Sequence, residues 1–153
     1  MMRKESLKKE LYQRCMHFVT EKIDTIQSAI KSAQASSATD QKSSMGDKYE
    51  TTQAMMHLEI ENQSFQLVEA TKLLQTLHMI QPEEIKDRVE LGALVATTTA
   101  SYYISVSAGK LTLNGDTFFA ISLSSPIGKK LISRRTGDSV DFNGQTIVIK
   151  NIF

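Results

Sequence analysis

Apolar residues in the first half of the chain recur every three or four positions. The first series comprises Leu7, Leu11, Cys15, Phe18, Val19, Ile23, Ile26, Ile30 and Ala33. The second, interrupted by Gln63, comprises Met56, Ile60, Leu67, Ala70, Leu74 and Leu77. This spacing is the period of an α-helix with a narrow apolar seam of the kind that packs in coiled coils. It predicts two helices, each of roughly 32 residues and roughly 48 Å.

The segment between the two series, Ala35–Ser44, is polar and has no period, so it predicts a loop. Neither apolar seam can stay exposed to water, and the connection between the helices is short. We therefore predict an antiparallel α-helical coiled-coil hairpin in which the two seams face each other. The tip of this hairpin, at about residues 36–50, would lie far from the rest of the protein.

In the second half of the chain, β-branched and aromatic residues become common. Strands are predicted at Leu91–Thr97, Ser101–Ser107 and Thr117–Leu123. Asn114-Gly115 and Asn143-Gly144 are typical hairpin turn pairs, and the second pair joins predicted strands at 139–142 and 145–152.

One short helix interrupts the predicted strands. Ser125 can cap its first turn, and Pro126 suits its first position. Its apolar side would consist of Ile127, Leu131 and Ile132, and Gly137 follows its end. The fold class predicted for the second half is thus a small, twisted, mostly antiparallel sheet with one helix against it, which makes the whole chain α+β.

Glycine and proline mark the boundary between the two halves. The first 80 residues contain no proline and a single glycine, Gly46, whereas glycines recur from Gly92 onward. The predicted domains are a hairpin at residues 1–80, a linker at 81–88 around Pro82, and a C-terminal domain at 89–153.

Charge and composition exclude several classes of protein. The net charge of +1 gives no general attraction to nucleic acid or membranes. The single cysteine, Cys15, excludes an intrachain disulfide. No apolar run approaches the roughly 20 residues that span a bilayer, and the charged start lacks the apolar region of a signal peptide. We expect a cytoplasmic monomer that does not bind membranes.

Two carboxylates stand out near the predicted tip. Asp47 and Glu50 are three positions apart, so on a helix they lie on one face. Together they could ligate Mg²⁺, but they are too few to hold it alone, and the remaining ligands would come from a partner. The same pair is also a capping-box arrangement, which stabilises a helix start without any metal. The two interpretations are compatible, and both stay open.

A basic cluster is the second candidate. Lys129, Lys130, Arg134 and Arg135 lie on or just after the short helix. They form either a solvated face or a contact with an acidic partner surface or nucleic acid. By contrast, His17, His57 and His78 show no metal-ligand spacing.

Two motifs resemble a known family. The stretch Gly46-Asp47-x-x-Glu50 resembles the acidic tip motif of the Gre transcript-cleavage factors of bacterial RNA polymerase. The stretch 121–127, continuing to Leu131-Ile132 and Gly137-Asp138, resembles the C-terminal signature of that family. The order of the parts and the total length also agree, so the resemblance covers nearly the whole chain.

The resemblance implies a transcription elongation factor. The hairpin would enter the secondary channel of RNA polymerase, where Asp47 and Glu50 hold the second catalytic Mg²⁺ and help to orient water for cleavage of backtracked RNA. The protein would stimulate the polymerase's own activity without being an enzyme, would bind no metal alone, and would contact nascent RNA only indirectly. An FKBP-like C-terminal domain would dock at the channel rim. The residues expected to bind the partner there are Ser125, Pro126, Lys129, Lys130, Arg134 and Arg135.

The chain also departs from the family pattern. Where the family commonly has Asn-Ala-Glu-Tyr after the tip glutamate, this chain has Thr51-Thr52-Gln53-Ala54, so a further acidic position is Gln53. The tip also carries the charges of Asp40, Lys42 and Lys48. A Gre-like regulator that binds polymerase without promoting cleavage is therefore an alternative. A coiled-coil structural adaptor and an FKBP-like prolyl isomerase are the alternatives from other classes.

Overall fold

The computed structural model describes the backbone of residues 3–43 and 47–153 and the side chains of residues 3–36 and 50–153. The chain is α+β, as predicted: a long N-terminal helical pair precedes a six-stranded mixed sheet and a short helix. The helices are α1 (Lys4–Ser43), α2 (Asp47–His78) and α3 (Pro126–Leu131). The strands are β1 (Leu94–Thr97), β2 (Ser101–Ile104), β3 (Gly109–Leu113), β4 (Asp116–Ile121), β5 (Ser139–Phe142) and β6 (Gln145–Ile152).

The chain divides into two compact units. The sheet unit comprises Met1–Phe18 and Gln75–Phe153, and the helical unit comprises Val19–Leu74. The sheet unit therefore includes the first turns of α1 and the last turn of α2 together with all six strands. Over the residues described, none of the helices has the length and apolar character that crossing a membrane requires.

The predicted seams are the buried positions of the helical pair. Within the helical unit, Val19, Ile26, Ala33 and Ala70 are buried. The seam positions between them, on both helices, are partly buried. Gln63, the polar residue that interrupts the second series between Ile60 and Leu67, is partly buried as well. The helical period of the sequence thus located the apolar contact surface of each helix correctly.

The predicted loop Ala35–Ser44 is wrong, because α1 continues through Ser43. This polar segment contains neither glycine nor proline, and each serine or threonine costs less than about 0.7 kcal/mol relative to alanine in a helix. The preceding turns have already nucleated the helix, so extending it is easier than starting one. The predicted tip, residues 36–50, falls almost wholly outside the side chains that the structure describes.

The sheet has the strand order β3-β4-β2-β1-β6-β5. Its pairs are antiparallel except β2 with β4, where Tyr102, Tyr103 and Ile104 run parallel to Phe119, Ala120 and Ile121. The prediction of a mostly antiparallel sheet is therefore confirmed, with β2 and β4 as the one parallel pair among the strands described. The chain leaves β2, forms the β3–β4 hairpin, and brings β4 back beside β2 in the same direction. Such a crossover leaves no signal in the pattern of any one strand.

Both predicted hairpin turns are confirmed. Asn114 and Asn143 each have a φ of 51°, and the glycines that follow them have φ values of 83° and 77°. Two successive residues with positive φ define the turn that matches the twist of paired strands, and glycine adopts the second position without strain. Strands β5 and β6 have the predicted bounds, whereas β1, β2 and β4 are shorter than predicted.

The core of the sheet unit lies between the sheet and α3. Strand β1 pairs with β6, and α3 packs against β5. The buried cluster consists of Val89, Ala93, Val95, Ile104, Ile127, Leu131, Val140, Ile147, Ile149 and Ile152. Ile127 and Leu131 belong to it as predicted, but Ile132 is 45% exposed, because α3 ends at Leu131 and the chain turns away from the core. The predicted domain bounds stay a prediction.

A buried lysine joins three parts of the sheet unit. Lys8 on α1 is fully buried. Its Nζ donates hydrogen bonds to the backbone oxygen of Glu84 and, at 3.0 Å, to the backbone oxygen of Phe153. Phe153 also exchanges two backbone hydrogen bonds with Leu94 of β1, and the Nζ of Lys4 lies 3.8 Å from the centre of the Phe153 ring. The first turns of α1 are thereby attached to the central strands.

Lys8 gives the stability of the protein a specific pH dependence. Burial, followed by the positive charge of Lys86, lowers the pKa of Lys8 from 10.5 to about 8. Between these values the unfolded chain holds a proton that the folded protein has released, so the free energy of unfolding rises with pH. Relative to Lys8→Met, the wild type should gain about 1–3 kcal/mol between pH 8 and pH 10.5 in denaturant titrations, where the lower figure allows for solvent screening of the charge. A difference that stays constant over this range would contradict the assignment.

Besides Lys8, the sheet unit buries further polar side chains, one of them on α1. The Sγ of Cys15 lies 3.3 Å from the Oγ of Ser105, and both side chains are buried. Tyr103, two residues before Ser105, is fully buried, and its hydroxyl is the one buried polar side-chain atom, among the residues described, with no hydrogen-bond partner. Burial, with contributions from Cys15 and Tyr12, raises the pKa of Tyr103.

The Tyr103 hydroxyl should lower stability, because a buried polar atom without a hydrogen-bond partner has lost its hydration and regained nothing. We expect Tyr103→Phe to raise the free energy of unfolding by about 1 kcal/mol in urea titrations. Tyr102→Phe, which removes a hydroxyl from a half-buried position on the neighbouring residue, is the control and should change stability by less than about 0.5 kcal/mol. A Tyr103→Phe variant less stable than the wild type would show that the hydroxyl makes a favourable interaction.

Candidate functional site

The predicted acidic pair lies at the start of α2. Asp47 is the first residue of this helix, but its side chain lies outside the described residues. Glu50 is described, and its side chain is exposed. Among the side chains that are described, no three histidine, cysteine, aspartate or glutamate residues lie close enough together to hold a metal ion. Joint metal binding by Asp47 and Glu50 stays a prediction.

Gln53, where the chain departs from the Gre motif that it resembles, is partly buried. Gln53 follows Glu50 by three positions, so the two lie on neighbouring turns of α2. The Gln53 side chain is half-buried, whereas that of Glu50 is exposed. An uncharged amide at this position adds no negative charge next to Glu50.

The predicted residues Ser125 and Pro126 both lie at the start of α3. Ser125 has extended backbone angles, with φ −67° and ψ 158°, and its Oγ accepts a hydrogen bond of 3.1 Å from the backbone N–H of Gly128. The same hydroxyl donates a hydrogen bond of 2.6 Å to the backbone oxygen of Ser122. Pro126 occupies the first helical turn, where no backbone N–H is needed. Ser125 therefore caps the helix, as predicted, with its hydroxyl directed to the backbone.

Gly128 lets α3 approach the chain that precedes it. A Cβ at this position would lie 2.2 Å from the backbone oxygen of Ser122 and 3.0 Å from the Cα of Leu123. Only glycine fits here without a backbone shift. This close approach, together with the burial of Ile127 and Leu131, fixes which side of the short helix faces solvent.

The solvent side of α3 carries the predicted basic residues. Lys129 and Lys130 are exposed, as are Arg134 and Arg135 beyond the helix end. Arg135 pairs with Asp87 through an Nη1–Oδ2 distance of 3.4 Å. Lys129, Lys130 and Arg134 form no ion pair with any residue that the structure describes. The sheet unit therefore presents several positive charges that no neighbouring carboxylate neutralises.

Two further residues belong to this surface, and sequence reasoning missed both. Backbone hydrogen bonds join Val89 to Ser133 and Arg134, and Arg88 forms an antiparallel bridge with Arg135. The exposed Arg88 thus lies beside the basic cluster, although it is far from it in sequence, and its Nε pairs with Glu90 Oε2 at 3.2 Å. Ile132, assigned to the apolar side of the helix, is instead an exposed apolar residue among basic ones. We call Arg88, Lys129, Lys130, Ile132, Arg134 and Arg135 the basic surface.

An FKBP-like prolyl isomerase would need an aromatic-lined pocket, but the paired aromatic residues of the sheet lie in two different environments. Tyr103 and Phe118 are buried, whereas Phe119 is 36% exposed. Phe119 packs beside Tyr102 with 6.3 Å between ring centres. Neighbouring residues on a strand face opposite sides, so Tyr102 and Phe119 are one pair of partners and not part of a larger aromatic lining.

We compared the chain with known proteins in three ways. No family model, curated protein or solved structure matches it.

The close packing of Gly128 against the backbone of Ser122 and Leu123 can be tested by substitution, because it holds α3 and its basic residues in place. Gly128→Ala should lower the free energy of unfolding by about 1–3 kcal/mol, because the added methyl group meets rigid backbone atoms. Lys129→Ala, on the exposed side of the same helix, is the control and should change stability by less than about 0.5 kcal/mol. Urea titrations of both variants measure the difference. Equal stability of the two would show that α3 can move away from the residues before it.

Proposed function

We propose that this protein is a transcription elongation factor that binds RNA polymerase through the secondary channel and stimulates cleavage of backtracked RNA. The observation that carries the proposal is the position of the Gly-Asp-x-x-Glu motif at the start of the second helix of a long helical pair. Glu50 is exposed there and available to a partner.

The dimensions of the helical unit support this proposal. From Val19 to the end of α1 there are 25 residues, which extend roughly 37 Å at about 1.5 Å per residue. A narrow helical pair of this length can enter a channel too small for a globular domain. The proposed role of the helices is to carry Asp47 and Glu50 to an active site that belongs to the polymerase.

The proposed chemistry depends on sharing a metal site. Two carboxylates supply too few oxygen ligands for Mg²⁺, and no larger cluster of ligands is present among the described residues. Glu50, with Asp47, would therefore add ligands to a Mg²⁺ ion already held in part by the polymerase and its RNA. In two-metal sites such an ion stabilises the attacking and leaving oxygens of the phosphodiester. The carboxylates would also orient the attacking water, so the protein acts as a cleavage stimulator rather than as an enzyme.

The basic surface supports a docking role for the sheet unit. Exposed Lys129, Lys130 and Arg134 lack ion pairs among the described residues, and Ile132 adds an exposed apolar contact next to them. An apolar residue with a charged rim is the usual composition of a protein-binding site. We propose that this surface, with Pro126 at its edge, binds an acidic region at the channel rim. Residues 89–153 would then be an FKBP-like docking domain, joined through a linker at 81–88 to the hairpin of residues 1–80.

Gln53 favours a second candidate function. An uncharged, half-buried glutamine replaces the further acidic residue of the family motif, so the tip attracts Mg²⁺ less strongly. A protein with this tip could occupy the channel without promoting cleavage and would then inhibit or compete with other channel-binding factors.

Backtracked elongation complexes test the proposal. Wild-type protein added to complexes of bacterial RNA polymerase should shorten the RNA from its 3′ end, as resolved on sequencing gels. The double variant Asp47→Asn/Glu50→Gln should bind equally well and leave the RNA uncut, because it keeps the side-chain shapes but loses both negative charges. Its helix content should match the wild type, since a lost cap costs about 1 kcal/mol.

The other outcomes separate the candidates. Binding of the wild-type protein without RNA shortening would favour the non-cleaving regulator. Gln53→Glu should then introduce cleavage, since it restores the acidic residue. The absence of any binding to polymerase would contradict both candidates.

A further inference from the structure

The outer side of α2 carries an apolar stripe that the helical pair does not use. Leu58, Phe65 and Val68 are exposed to 58%, 68% and 54%, and Met55 is exposed to 65%. The buried side of the same helix is formed by a different set of residues, of which Ala70 is almost fully buried. Single exposed apolar residues are ordinary, but four large ones on one side of one helix mark a binding surface. We call these four residues the outer stripe.

The outer stripe continues into a groove of the helical unit. Beside Phe65 lies an open groove of about 290 Å³. Its lining includes Lys22 of α1 and, from α2, Gln66, Glu69, Ala70 and Leu73. The lining combines apolar and polar side chains, so an apolar side chain of a partner that covers Phe65 also finds space beside it.

One edge of the outer stripe, Val68, lies on the same side of α2 as the acidic residue of the tip, and Leu58 and Phe65 lie roughly 60–80° around the helix from it. Glu50 and Val68 are 18 residues apart, which is five full turns of 3.6 residues, so their side chains leave the helix in the same direction. Leu58 and Phe65 are seven residues apart and share one side for the same reason. Whatever surface covers the stripe therefore determines which way Glu50 faces.

The charges beside the stripe indicate the chemistry of that surface. Glu59, Glu61 and Glu69 are exposed on α2. Residues 59–72 of α2 contain one basic residue, Lys72, and its Nζ is paired with Glu69 at 3.0 Å. Stripe-to-stripe pairing of two copies of this chain would bring Glu59 and Glu61 close to their own counterparts, and like charges at such positions oppose association. The complementary surface is apolar with basic residues at its edge.

We infer that the outer stripe binds an apolar, basic-edged part of the secondary-channel wall of RNA polymerase and so fixes the rotation of the hairpin. This inference rests on the proposed function, and it adds a second contact besides the basic surface. When the stripe is bound to the wall, the rotation of α2 is fixed, and with it the direction in which Glu50 leaves the helix five turns away. A hairpin without this contact could enter the channel but would present its carboxylates in many directions.

The double variant Leu58→Ala/Phe65→Ala tests the inference. Alanine keeps the helix intact, and both residues are exposed, so circular dichroism and thermal unfolding should match the wild type. Binding to bacterial RNA polymerase, measured by anisotropy of labelled protein, should weaken at least about tenfold, which corresponds to about 1.4 kcal/mol. Met79→Ala is the matched control, because Met79 is 72% exposed but lies outside the stripe, and it should bind like the wild type.

Other results would overturn the inference in distinguishable ways. If the wild type and the double variant bind polymerase equally, the stripe has no part in binding, and the proposed function stands without it. If sedimentation equilibrium shows self-association that the double variant abolishes while polymerase affinity is unchanged, a second copy covers the stripe. If the wild type does not bind polymerase at all, both the inference and the proposed function fail.

Discussion

The attachment of α1 to the central strands is the interaction on which the sheet unit depends. Lys8 has no exposed surface, yet its ammonium group holds the backbone oxygens of Glu84 and Phe153. An unpaired charge at such a position would cost several kcal/mol, so these two carbonyls must stay in place as long as the lysine is protonated. Because Phe153 pairs in turn with Leu94 of β1, a single buried charge sets the position of the helix start relative to the sheet.

The sequence predicted those parts of the fold that depend on interactions between residues close together in the chain. The apolar series from Leu7 to Leu77 identified the buried sides of both long helices, and the two Asn-Gly pairs located their hairpins because positive φ angles are needed there. The segment 35–43 was misassigned, because polar residues without glycine or proline extend an existing helix at little cost. The parallel pairing of β2 with β4 and the burial of Lys8 involve residues distant in sequence, and no local pattern contains them.

In the candidate sites, too, some features follow from neighbouring residues and others from residues that are distant in sequence. The Ser125 cap and the exposed lysines of α3 follow from their own sequence, as does the position of Asp47 and Glu50 at a helix start. Arg88 joins the basic surface only because residues 88–89 pair with residues 133–135. The outer stripe was overlooked for a different reason: its spacing is as helical as that of the seam, and only exposure distinguishes the two sides of α2. The basic surface and the outer stripe are exposed surfaces rather than enclosed pockets, which is consistent with the proposed binding of a larger partner.

Site-specific photo-crosslinking from the hairpin tests the central claim most directly. A photoreactive amino acid at position 51, next to Glu50, would be introduced into the full chain and irradiated with backtracked complexes of bacterial RNA polymerase. The account predicts crosslinks to peptides around the catalytic centre and to the 3′ end of the RNA, which an excess of unlabelled wild-type protein should abolish. Crosslinks confined to the outer surface of the polymerase, or none above a control with bovine serum albumin, would contradict it.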